Sequence, residues 1–97
     1  MDLGSETRTL IPAEKVLGAR IFGASGDDLG SIDDIVIDRK TGNIAYALVS
    51  SGGFLGIGAR CHSLPWSILR YNGNVGGYVV PLERRQLEGA PAVGRWL

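Results

Sequence analysis

The sequence predicts an all-β domain, a small six-stranded antiparallel β-barrel with a short C-terminal helical turn. Three observations carry that prediction. The chain has 97 residues, enough for one compact domain around a single core. Between residues 16 and 82 it breaks into short apolar stretches bounded by glycine, asparagine, aspartate or proline, the punctuation of strands joined by tight turns. A helical signal is read at the end, in ERRQLEG, where Gly89 and Pro91 supply the stop.

Residues 1–15 mix charged, small and polar types with no clear period of 2 or 3.6 and are read as an arm before the barrel. Residues 16–22 (VLGARIF) give a first strand, closed by Gly23 and the turn sequence GASGDDLG. Residues 29–38 (LGSIDDIVID) give the second, with Ile35 and Ile37 on one face and Asp34, Val36 and Asp38 on the other, so that one side is wet. In the connection DRKTGN, Gly42 suits the left-handed residue of a hairpin loop. The third strand, residues 44–49, alternates Ile44, Tyr46 and Leu48 with Ala45, Ala47 and Val49. Both faces are apolar, and such a strand needs cover on both sides. The expectation is that one face enters the core while Ala45, Ala47 and Val49 face outward, allowing close approach of the C-terminal segment or of a second subunit. ARCHSL is the fourth strand, stopped by Pro65, and PWSIL a tight turn. NGNVGG, between residues 69–71 and 78–82, marks the last hairpin. The barrel is thus placed at residues 16–91, followed by a tail at 92–97.

Composition excludes several function classes. Ten basic residues balance ten acidic ones, and the arginines scatter from Arg8 to Arg95. A surface that gains affinity by neutralising phosphates needs a basic stripe, so no nucleic-acid partner is expected. The single Cys61 cannot form an intramolecular disulfide and cannot hold zinc alone, which makes the cytoplasm the expected compartment. No apolar run of signal-peptide length opens the chain, and nowhere do roughly 18 apolar residues run together as a membrane helix requires. Direct membrane insertion is therefore not expected, while a membrane-bound partner stays open.

The motifs that could carry chemistry point away from catalysis. Residues 52–58 have the spacing G-G-x-x-G-x-G, which fits neither a dinucleotide fingerprint nor a P-loop, and no helical pattern follows to supply N–H groups to a phosphate. Cys61 and His62 are adjacent, so a strand sends them to opposite faces and they cannot work as thiolate and base within one chain. The expectation is a small buried Cys61 and a partly exposed His62. Asp27, Asp28, Asp33, Asp34 and Asp38 fail the EF-hand spacing and read as turn caps and a solvated face. Trp66 in its Pro-Trp-Ser turn reads as core, whereas Trp96 sits near the end of a tail with nothing to order it unless its ring docks. Phe54, Leu55 and Ile57 either fold back over a barrel end or project toward a partner.

Leu29-Gly30, the pair Asp33-Asp34, Val36-Ile37-Asp38, Thr41-Gly42, the run Gly53-Phe54-Leu55-Gly56-Ile57-Gly58 and Pro65-Trp66 follow one another in an order and spacing that resemble the PRC-barrel family. The resemblance covers about residues 16 to 91, most of the chain. It implies a small β-barrel used as a docking module without chemistry of its own, as in the photosynthetic reaction-centre H subunit and the C-terminal half of a ribosome maturation factor. This sequence lacks the membrane helix of the first and the N-terminal RNA-related domain of the second, so the expectation that carries over is the barrel.

The sequence therefore leads to a non-catalytic protein–protein interaction or assembly module, with no catalytic residue, cofactor or metal assigned. Its expected partners are a second copy of the chain, as a homodimer, and a further protein. The alternatives are a small-ligand or metal-sensing domain and, behind it, a cryptic enzyme. The candidate interaction surface comprises Ala45, Ala47, Val49, Phe54, Leu55, Ile57 and Trp96.

Overall fold

A computed structural model describes residues 10–52 and 60–89 of the chain. The first element is a single helical turn, α1 (Ala13–Val16), where the sequence suggested an arm running directly into a strand. Pro12 sets the helix entry with its fixed φ of −64°, and Ala13, Glu14 and Lys15 are good helix formers. The turn buries Val16, and Gly18, at φ 86°, then redirects the chain. The first strand, β1 (Arg20–Phe22), is consequently shorter than its apolar run.

The remaining strands are β2 (Asp28–Ile37), β3 (Ile44–Ser51), β4 (Arg60–Pro65), β5 (Arg70–Asn72) and β6 (Gly77–Val79). They form one six-stranded sheet in the order β4-β3-β2-β1-β6-β5. Five ladders join them, and one departs from the antiparallel expectation: β1 and β6 run parallel, with Ile21 opposite Tyr78. The chain returns to β1 only after the β5–β6 hairpin, so β6 arrives in the same direction as β1. Among the described residues no ladder joins β4 to β5, and the sheet is mixed and open at those edges rather than a closed antiparallel barrel. The chain itself bridges the two edges through a 3-10 turn, Trp66–Ile68, entered from Pro65 and closed by the Leu69 N–H donating to the Trp66 carbonyl at 3.1 Å.

One hydrophobic core serves all of this. Ile21, Leu29, Ile32, Ala47, Val49, Leu64, Leu69, Tyr78 and Val80 meet Val16 of α1 and Leu87 of α2 (Arg84–Gly89) in a single cluster. A flat sheet of six strands would be roughly 24 Å wide, so residues from β4 and β6 can share one cluster only if the sheet curls around it.

Turn chemistry closes the hairpins where the glycines and asparagines stand. Between β2 and β3 the Asp38 carboxylate accepts from the Lys40 N–H at 2.9 Å, and the Asp38 carbonyl from the Gly42 N–H at 2.7 Å, with Gly42 at φ 82°. Between β5 and β6 the Asn72 side chain accepts from the Asn74 N–H at 2.9 Å, and Gly76 takes φ 70°.

Candidate interaction surface

The cross-strand register decides which face of β3 looks outward, and it reverses the expectation. Two rows of residues point into the core: Ile35 opposite Ala47 opposite Leu64, and Ile32 opposite Val49 opposite His62. Ala47 and Val49, expected on the outer surface, are fully buried. Their small volume is used inside, where Ile32 and Leu64 on the neighbouring strands already fill the space. Ala45 has no partner on β2, because the register shifts there between Val36 and Ile37, and it is half-buried. Phe54, Leu55, Ile57 and Trp96 lie outside the described residues.

The outer face is carried by the other alternate set. Its rows are Val36, Tyr46 and Pro65; then Asp34, Leu48 and Ser63; then Ser31, Ser50 and Cys61. Ile37 and Ile44 pair beyond the first row but, by alternation along β2, fall on the side of Ile35, past the end of the core. Ile37 is 54% exposed and Tyr46 38%. Val36, Ile44 and Leu48 are half-buried, and Pro65 is exposed. The face thus grades from an apolar end at the β2–β3 hairpin to a polar end at Ser31, Ser50 and Cys61. At the polar end Asp33 is an extra residue bulged out of β2, and its carboxylate accepts a short hydrogen bond from the Ser50 hydroxyl.

The same register exchanges the roles expected of Cys61 and His62. His62 is buried, 1% exposed, on the inner face, while Cys61 is half-exposed on the outer one. Burial first, and then the negative charge of Asp33, pushes the Cys61 thiol up from its ordinary value of 9.0, which keeps it protonated and poorly nucleophilic at neutral pH.

The aspartates serve the fold. Asp28 receives both Arg20 nitrogens, Nε at 3.0 Å and Nη2 at 2.5 Å, and accepts from the Gly30 N–H at 3.1 Å. Asp34 accepts from the Ile35 N–H at 2.8 Å. Arg84 of α2 donates to the Asp28 carbonyl at 2.6 Å and lies 4.0 Å from the Asp27 carboxylate. Among the described residues no three of His, Cys, Asp and Glu stand close enough together to hold a metal ion. Among the same residues no helix is long and apolar enough to cross a membrane.

A second surface, which the sequence did not single out, lies at the other end of the strand order. Ala24, Ser67, Ile68, Arg70, Val79, Val80 and Pro81 line a groove of about 460 Å³. Arg70 and Val79 are direct cross-strand partners on β5 and β6. Their juxtaposition could be read only after the last hairpin's register was known.

A mostly β module of this size, with one curled sheet, one core and an apolar outer face, has a counterpart among known families. The family model described as PRC-barrel domain matches residues 8–86. The chain belongs to the PRC-barrel family. It is also similar to a protein of Deinococcus radiodurans described only as uncharacterised, 40% identical over 38 residues, which is 39% of this chain and 14% of that protein.

Proposed function

We propose that this chain is a non-catalytic protein–protein interaction module whose first partner is a second copy of itself, docked on the outer face of β2, β3 and β4. The observation that carries this reading is the apolar patch of Val36, Tyr46, Leu48 and Pro65 on that face. A formal net charge of zero lets two copies meet without mutual repulsion. Family membership supports a docking role, and the separation of Cys61 from His62 across β4 supports a role without nucleophilic chemistry. A symmetric dimer brings the same patch from both subunits into one contact of roughly 1,000 Å² in total, the low end for a specific interface. The expected association is a reversible one.

Analytical ultracentrifugation over a concentration series tests this. The expected result is a monomer–dimer equilibrium that Leu48→Glu and Tyr46→Asp abolish while the melting temperature stays within a few degrees of the parent. A parent chain that sediments as a monomer at high micromolar concentration overturns the homodimer. Retained dimerisation in both variants moves the contact to another face.

A further inference from the structure

The groove between the 3-10 turn and β6 sets a cation beside an apolar wall. Its wall is apolar, formed by Ala24, Ile68, Val79, Val80 and Pro81, with Arg70 and Ser67 as the polar side chains on it. Its volume of about 460 Å³ falls within the range of small-molecule sites. Arg70 stands directly across from Val79 in the β5–β6 ladder, so the two side chains leave the same face of the sheet. Val79 is held on its other side opposite Phe22 of β1. The wall is rigid because Val80 is fully buried and its N–H donates to the Phe22 carbonyl at 2.9 Å, while Ile68 packs against the core.

Charge decides the chemical class of occupant. The ion pairs among the described residues engage Arg20 and Arg84, and within those residues the Arg70 guanidinium has no carboxylate partner. A planar cation with free donors beside an apolar wall is complementary to a carboxylate attached to a hydrocarbon or aromatic body. A neutral apolar molecule would leave the cation unused, and a compact anion would leave the wall unused. We infer that this groove binds a small amphipathic carboxylate, its acid group on Arg70 and the Ser67 hydroxyl and its apolar body on Ile68, Val79 and Pro81. The site shares no residue with the outer face of β2–β4 and stands or falls independently of dimerisation.

The test is a nuclear magnetic resonance titration of the full chain with phenylbutyrate, its neutral amide and butyrate as the three probes. Phenylbutyrate is expected to give saturable shifts at Ala24, Ile68, Val79 and Val80. The amide and butyrate should each bind at least about tenfold more weakly, as the loss of one charge-assisted contact or of the apolar body implies. Arg70→Gln should reduce phenylbutyrate affinity to that of the amide and leave the amide's affinity unchanged, and Arg70→Lys should restore part of it. Arg70 is exposed, so both variants should melt like the parent. Equal binding of acid and amide, an unaltered affinity in Arg70→Gln, or the absence of saturable shifts in the groove overturns the proposal. Binding that appears only in a chain ended after Gly89 also overturns it, and gives the groove to residues 90–97.

Discussion

Glycine positions separate two physical demands at the residue scale. Gly30, at φ 146°, sits where a Cβ would run into the carbonyl oxygen of Ser50 on the neighbouring strand. Gly42, at φ 82°, has nothing within 4 Å of where a Cβ would be. The first is held by a close backbone approach, the second only by its left-handed conformation. Gly30→Ala is therefore expected to cost about 3 kcal/mol or more, and Gly42→Ala about 1 kcal/mol, with Gly42→Asn milder still. Urea unfolding measures both, and equal costs would refute the distinction. Titration adds a second residue-scale prediction. Burial first, and then Tyr71, raises the Tyr78 phenol above its ordinary 10.0, and Cys61 is raised from 9.0. The folded chain thus holds these protons more tightly than the unfolded one. Their contribution is complete below the unfolded values and is lost as pH rises through the folded ones. Stability should decline above pH about 9, and Tyr78→Phe should flatten the upper part of that decline.

At the scale of the element, α2 shows how little is needed to hold a short helix. Six residues are too few for a helix to persist in water by its own hydrogen bonds. Leu87, 1% exposed, anchors it in the core. The Ser25 hydroxyl, donating to the Glu83 carboxylate at 2.8 Å, and Arg84, donating to the Asp28 carbonyl, fix its start against the β1–β2 turn. Leu87→Ala should cost about 2–4 kcal/mol, whereas Ser25→Ala, which removes an exposed hydrogen bond, should cost about 1 kcal/mol or less. Hydrogen exchange should show the amides of α2 opening well before those of β2 and β3 in Leu87→Ala. Unchanged protection there would mean that the polar contacts alone hold the helix.

For the whole molecule, the question is what holds the open edges of the sheet around the core. Trp66, in the turn joining β4 to β5, packs at a tilt of 58° and a ring separation of 5.5 Å against Tyr78 of β6, which in turn meets Tyr71 of β5 edge-on at 5.5 Å. This aromatic series links the β4 end of the sheet to the β5–β6 hairpin where no ladder does so among the described residues. Trp66 is only half-buried, so Trp66→Ala should cost about 2–4 kcal/mol, somewhat less than the roughly 3–5 kcal/mol of a fully buried aromatic. Thermal unfolding followed by near-ultraviolet circular dichroism checks it. A melt within a degree of the parent, combined with loss of self-association, would place Trp66 in the interface instead of the fold.

Local chemistry was enough to read the strand-and-turn sequence, the left-handed Gly42, the stop at Pro65, the closing helical turn and the family. Each element depends on residues within a few positions of one another, where backbone preference acts directly, and the family on the order in which those short motifs follow along the chain. The faces of β3 were not legible in the same way. Its two alternate sets are both apolar, and a period of two cannot say which set turns inward. The polar partners Asp34 and Ser63 opposite Leu48 would have marked the outer face, but pairing them requires the register, which shifts at Asp33 and at Ala45. The exchange of Cys61 and His62 followed from that single choice, because a strand turned over carries every side chain with it. The parallel β1–β6 ladder and the meeting of Arg70 with the apolar groove were likewise set by packing. They bring together residues far apart in the chain, and only burial of one common core selects that arrangement from the alternatives that local preference allows.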